Sequence, residues 1–195
     1  MLKFQPCSEC KRLTFHSAYV ILSGKFVFCR RERKMTQMST VKTNAVRLLD
    51  HAEIPYQLFQ YDITDGKLDA ISMAAKMQAD PDTVFKTLVT VNQNKEYFVF
   101  VIPGPASLDL KKAAKVSGSK SIEMILQKNL LPLTGYIHGG CSPIGMKKRF
   151  PTFIDETAQL FDSIRVSAGK IGFCISISPE ALKNYIDASF ADLTV

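Results

Sequence analysis

Two apolar runs joined by a short polar link constrain this chain more than any other feature. Phe85 to Val91 is rich in β-branched residues, and Tyr97 to Ile102 is apolar throughout. Both have strand length, and Asn92 to Glu96 between them is a polar hairpin connection. A run without alternation predicts a strand buried on both faces of its sheet. Lys86 interrupts the first run near its start, flanked by Phe85 and Thr87.

The flanking sequence supplies helices and shorter strands. Ala45, Leu48, Leu49 and Ala52 recur at helical spacing after Thr43, a good N-cap, and Pro55 stops that helix. Tyr56 to Tyr61 predicts a strand, Asp65-Gly66 a turn, residues 69–78 a helix, and Asp80-Pro81-Asp82 a helical turn. Asp109 is placed to cap a helix with Leu110, Ala113 and Ala114 on one face, ending near Gly118. Ile122, Ile125 and Leu126 predict another helix. A loop-rich stretch, 132–151, precedes three short strands at Thr152–Ile154, Ser163–Val166 and Phe173–Ile177. A final helix starts at Ser178-Pro179-Glu180, with Leu182, Tyr185 and Ile186 as its apolar face. These elements predict a single α+β (mixed α/β) domain.

The first 34 residues differ from the rest. They hold eight Lys/Arg against two acids, whereas the other 161 residues hold 17 against 16. The net charge of +7 therefore belongs almost wholly to the N-terminus, and nucleic acid bound by the body must meet a local patch. Cys7 and Cys10 have the spacing of half a zinc site, but His16 and Cys29 complete no common ligand pattern. No metal or cofactor is expected. The apolar run from Ala18 to Leu22 is too short and too far in for a signal peptide. Residues 1–38 are expected to be a poorly ordered basic extension, and Met35 and Met38, directly before the regular pattern, favour a start placed too early. Residues 39–195 form the expected domain. Five cysteines, an odd number, suit a reducing cytoplasm.

Within the body, the glycine elbow of serine hydrolases, the Walker lysine loop and the dinucleotide-binding glycine pattern are all missing. Three features could carry chemistry. Lys86 shares a strand face with Leu88 and Thr90, and is either an edge lysine that blocks aggregation or a fixed cation facing a phosphate or oxyanion. The stretch from Gly135 to Gly145 contains Gly139-Gly140 and Ser142-Pro143, and is either an ordinary glycine-rich loop or a set of N–H donors for a carbonyl oxygen. Lys147-Lys148-Arg149 follows it, a solvated face or a phosphate contact. Ser167-Ala168-Gly169-Lys170 is a turn between two strands that could wall the same cleft. His138 and Cys141 form a nucleophile–base pair only on paper, because nothing in the sequence orients either one.

Taken together and in order, these motifs resemble the YbaK-type Cys-tRNA(Pro)/Cys-tRNA(Cys) deacylases. The resemblance rests on Phe-Lys-Thr-Leu at 85–88, Leu-Asp-Leu-Lys-Lys-Ala-Ala-Lys at 108–115, the glycine-rich 134–149, Val-Ser-x-Gly-Lys-x-Gly at 166–172, and the ending around Asp187-Ala188 and Phe190-Ala191-Asp192. It runs from about Thr43 to the end and leaves residues 1–34 without a counterpart. It implies kinship with the editing domain of bacterial prolyl-tRNA synthetases and an irregular, mixed, partly barrel-like sheet surrounded by helices. It also implies a metal-free cleft for the aminoacylated 3′ end of tRNA. Carried over by position, Lys86, Gly139 and Gly140 are the catalytic set. Tyr61, Thr87, Ser142, Pro143, Ser167, Gly169 and Cys174 are the substrate-binding set. The departure is Cys174, where close relatives carry an acid and others Gln.

The mechanism the resemblance implies is self-cleavage, in which the thiol of the cysteinyl group attacks its own ester and leaves as a thiolactone. The enzyme then acts by position and electrostatics. The Gly139-Gly140 N–H groups would hold the carbonyl oxygen, and Lys86 the terminal phosphate or ribose oxygens. Prolyl-tRNA synthetase is the expected partner for tRNA choice. The alternatives are a deacylase for Ala-tRNA(Pro) or another small misacylated tRNA, a non-catalytic tRNA-binding module, and a soluble protein whose basic arm binds nucleic acid unspecifically.

Overall fold

A computed structural model describes residues 42–195 together with two short strands, β1 (Val20–Leu22) and β2 (Lys25–Val27), which pair antiparallel. The expectations for Cys7, Cys10, His16, Cys29, Met35 and Met38 lie outside the described residues. The chain divides into two units, Met1–Thr40 and Val41–Val195. Among the described residues, every helix belongs to the second unit.

The first helix of that unit, α1 (Asn44–His51), forms because the Thr43 hydroxyl accepts from the Val46 N–H and because Ala45, Val46 and Leu49 share a buried face. Ala52 falls at the C-cap and is exposed, so the buried face ends one turn earlier than its spacing predicts. Strand β3 (Gln57–Gln60) comes next. Helix α2 (Ala70–Lys76) is capped by Asp69, and a 3-10 turn, Pro81–Thr83, leads into β4 (Phe85–Asn92).

β4 pairs antiparallel with β5 (Tyr97–Pro103) along its whole length. Val99 to Ile102 are almost completely buried, so β5 is covered on both faces, as its unbroken apolar run predicts. Val99 and Val101 point into the larger core, with Leu49, Ile144, Ile154 and Ile175. Phe98, Phe100 and Ile102 point into a smaller one, with Ile122, Leu193 and the alanines of α3 (Leu110–Val116). Asp109 caps α3 through the Lys111 and Lys112 N–H groups, while Leu110 lies outside the buried face.

The segment carrying Ile122, Ile125 and Leu126 is not a helix. Ile122–Met124 is strand β6, antiparallel to Thr90–Asn92, and α4 (Gln127–Thr134) begins after it. The i, i+3, i+4 spacing misleads because Ile122 fills the smaller core, the Ile125 N–H reaches the Val89 carbonyl, and Leu126 is exposed. A partner at the edge of β4 overrides local periodicity. α4 contains Pro132 and runs three residues into the expected loop, to Thr134, and Gly135 at φ +86° ends it.

Strands β7 (Thr152–Asp155), β8 (Ile164–Ser167) and β9 (Phe173–Ile177) and helix α5 (Pro179–Ile186) stand where their sequence places them. The last strand, β10 (Ser189–Ala191), runs parallel to β7. The result is a mixed five-stranded sheet, β10-β7-β5-β4-β6, and a three-stranded sheet, β3-β9-β8, with five helices in the domain. A single bridge, Val84 to Arg165, links β8 to the start of β4. The sheets do not close into a barrel.

Asp155 locks the C-terminal segment onto this frame. The carboxylate is buried and accepts from the Thr157 N–H and hydroxyl and from the Leu193 N–H at 3.1 Å. Asp155→Ala would strand these donors, so urea denaturation is expected to show a loss of about 2–4 kcal/mol. Leu126→Ala, at an exposed site, should stay within about 0.5 kcal/mol.

Candidate active site

β6 covers only the last residues of β4. Between that pairing and the Val84–Arg165 bridge, the outer edge of β4 has no strand partner among the described residues. A cleft of about 600 Å³ opens there, and Phe85, Lys86, Thr87 and Leu88 all line it. An edge position and a cleft position for Lys86 are thus the same position.

Lys86 is half-buried, and its Nζ donates to the Gly104 carbonyl at 2.8 Å. Burial holds its pKa below the ordinary lysine value. Gly104 itself is fixed by donating its N–H to the Val84 carbonyl at 2.7 Å. A Cβ on it would stand 2.6 Å from the Ala70 Cβ, so only glycine lets α2 come this close. Beside Lys86, the Thr87 hydroxyl is buried without a hydrogen-bond partner among the described residues.

The opposite wall is the glycine-rich loop. Tyr136 shapes it, with its hydroxyl donating to the Ile144 carbonyl at 2.6 Å. Gly169, at φ +85°, packs so close that a Cβ would lie 2.7 Å from the Tyr136 ring, which brings the two loops together. The two adjacent glycines do different things. Gly139 lines the cleft against Leu68, and its N–H has no internal acceptor among the described residues. The Gly140 N–H is already given to the Ile137 carbonyl at 3.0 Å, and Gly140 packs against Ile171. The expectation that both N–H groups are free for a ligand is corrected at Gly140, because a turn consumes its donor.

Of the residues expected at the site, Tyr61, Lys86, Thr87, Gly139 and Ser167 line this one cleft. Tyr61 is buried just past β3, where its N–H donates to the Gly172 carbonyl, and burial raises its pKa. The Ser167 hydroxyl accepts from the Gly169 N–H at 3.2 Å. Gly140, Ser142, Pro143, Gly169 and Cys174 stand behind the walls. The Ser142 hydroxyl accepts from the Ile144 N–H and is fully buried. Cys174 is cross-strand to Ser167 and buried, with its thiol on the Met77 sulfur at 3.2 Å.

Burial pushes the thiols of Cys141 and Cys174 up to about 12, so both are protonated at neutral pH and neither is a ready nucleophile. His138 is exposed at the rim, and Lys147, Lys148 and Arg149 are exposed beyond the loop. Sequence reasoning missed Gly104, Leu68, Asp69 and Leu130, which depend on long-range packing. The Pro-Gly-Pro at 103–105 was the available signal for the first. Among the described residues, no group of His, Cys, Asp and Glu could hold a metal ion, and no helix is long and apolar enough to cross a membrane.

Residues 65–185 match the family model of the aminoacyl-tRNA editing domain. The chain belongs to that family. This editing-domain protein is 46% identical, over 83% of its length and 97% of the relative's, to an Enterococcus faecalis protein named as a Cys-tRNA(Pro)/Cys-tRNA(Cys) deacylase, EbsC. Its fold is shared with a crystal structure described as a trans-editing enzyme for prolyl-tRNA synthetase, at TM-score 0.69 and 22% identity over 80% of this chain and 99% of that one. A second crystal structure, of a protein described as hypothetical, matches at TM-score 0.73 and 18% identity over 78% of this chain and all of that one.

The desolvated lysine of this editing domain has a consequence for stability. A lysine with a lowered folded-state pKa opposes folding while charged in both states. That penalty is relieved as pH rises from the folded-state pKa toward the unfolded value. Lys86→Met is therefore expected to unfold at higher urea concentration than the parent at pH 7, with the gap narrowing in the alkaline range just below 10.5. A less stable Lys86→Met at pH 7 would mean that the Gly104 hydrogen bond outweighs desolvation.

Proposed function

We propose that residues 39–195 form a cytoplasmic trans-editing deacylase that removes cysteine from Cys-tRNA(Pro), and from Cys-tRNA(Cys) as a related substrate. The observation that carries this reading is the meeting, in one cleft of an editing-domain fold, of Lys86 on its Gly104 anchor and the open Gly139 N–H. The identity with the E. faecalis deacylase over nearly all of that protein's length supports the choice of acyl group.

In this mechanism Lys86 binds the terminal phosphate or ribose oxygens of the 3′-adenosine, and the Gly139 N–H donates to the ester carbonyl oxygen as negative charge grows on it. The substrate thiol attacks its own carbonyl carbon. A carbon–sulfur bond forms, the ester carbon–oxygen bond breaks, and the ribose oxygen leaves with the thiol proton. The two high-pKa cysteines of the domain fit a reaction that needs no enzyme nucleophile. Tyr61, Thr87 and Ser167 complete the pocket wall, while Gly140, Ser142, Pro143, Gly169 and Cys174 hold the loops and strands that shape it. Prolyl-tRNA synthetase supplies tRNA choice, since the body carries almost no net charge to grip a whole tRNA.

Release of labelled amino acid from Cys-tRNA(Pro), Ala-tRNA(Pro) and Pro-tRNA(Pro) tests the proposal. Cysteine should be released fastest, and Lys86→Ala should lose about 2–4 kcal/mol of transition-state stabilisation. Cys141→Ser and Cys174→Ser should keep most activity. Release of alanine alone would reassign the substrate, wild-type rates in Lys86→Ala would remove the lysine from the mechanism, and no release at all would leave a binding module.

A further inference from the structure

Two glycine contacts bracket one side chain at the mouth of the cleft. A Cβ on Gly139 would lie 3.2 Å from the Leu68 Cβ, and one on Gly104 would lie 2.6 Å from the Ala70 Cβ. The residue between Leu68 and Ala70 is Asp69. Its backbone is held between the loop that presents the Gly139 N–H and the carbonyl that holds Lys86. Asp69 is the single carboxylate among the cleft-lining residues, where Lys67 and Lys86 are the cations.

Its side chain is oriented as well as placed. Oδ1 accepts from the Ser72 N–H at 2.8 Å and Oδ2 from the Ser72 hydroxyl at 2.7 Å. These bonds fix the rotamer and leave accepting capacity on both oxygens. They also hold the carboxyl below the usual carboxylate range, with the Ser72 hydroxyl the largest cause, so the group is ionised at neutral pH. Capping alone does not need that charge, because Asn or Ser would cap α2 about as well.

An aminoacyl ester brings three polar groups to such a cleft. Its phosphate and ribose oxygens match Lys86, and its carbonyl oxygen matches the Gly139 N–H. Its α-ammonium needs an anion, and Asp69 is the one the lining supplies. Resting on the deacylase reading, we infer that Asp69 receives the free α-ammonium of the substrate. It thereby selects aminoacyl esters with an unblocked amine over N-acylated ones such as peptidyl or formylated esters.

The test compares cysteinyl-tRNA(Pro) with 3-mercaptopropionyl-tRNA(Pro), which keeps the thiol and the ester and lacks only the amine. Steady-state deacylation is measured for wild type, Asp69→Asn and Asp69→Ser, both of which preserve a capping oxygen, with thermal melts to verify folding. For the cysteinyl substrate, both variants are expected to raise KM about fivefold and to leave kcat within about twofold, the size of a partly exposed charge pair. For the mercaptopropionyl substrate they should match wild type. An equal loss on both substrates, or no loss on either, overturns the inference and leaves Asp69 as a cap. If wild type releases neither acyl group, the deacylase reading itself fails and takes this one with it. Wild-type turnover with unchanged variants rejects the role of Asp69 alone.

Discussion

The close approach of α2 to the β4–β5 hairpin at Gly104 is the contact on which the candidate site depends. Gly104 binds Val84, the residue before β4, through its N–H, binds the Lys86 ammonium through its carbonyl, and meets Ala70 where a side chain would be. One residue without a Cβ therefore places the lysine, the helix and the capping aspartate together. The opposite wall is built on the same principle, since Gly169 lets the second loop lie on the ring of Tyr136 and Gly139 lies on Leu68. Backbone groups and fixed charges line the gap between these walls, and they gain strength from being held there before a substrate arrives.

The site is also where the fold gives up stability. Lys86 sits partly desolvated with one neutral partner, and the Thr87 hydroxyl is buried without any. Neither arrangement favours folding. Both lie where β4 lacks an outer strand, between the Arg165 bridge and β6, so the unpaired edge and the unsatisfied side chain fall in the same place. A strand edge left open inside a covered fold is protected from pairing with other chains and remains available to a ligand.

Much of this was legible in the sequence, for identifiable reasons. The unbroken run from Tyr97 to Ile102 announces a strand with two covered faces, and Thr43 and Asp109 cap helices through their own short side chains. Local rules suffice there. They fail at Ile122–Leu126, where helical spacing is overruled by pairing with β4, and at β10, which exists only because β7 offers an edge. The placement of Lys86, Thr87, Tyr61, Ser167 and Gly139 around one cleft came from the ordered motifs, not from periodicity. The difference between Gly139 and Gly140 could not be read at all, because it lies in one turn hydrogen bond. Asp69 was read only as part of a helical stretch, and its place in the cleft depends on the contacts of its neighbours with Gly139 and Gly104.

The central claim is that the gap beside β4 receives an aminoacylated 3′ end, with Lys86 on the nucleotide side and Gly139 on the ester carbonyl. The most direct measurement is a crystal structure of the protein with a non-hydrolysable cysteinyl-adenosine amide. The amide carbonyl oxygen should lie within hydrogen-bonding distance of the Gly139 N–H, and a ribose or phosphate oxygen should lie on Lys86 Nζ. Binding in the open depression formed by Gln127, Lys128, Leu131 and Ile137, with the β4 cleft empty, would contradict it.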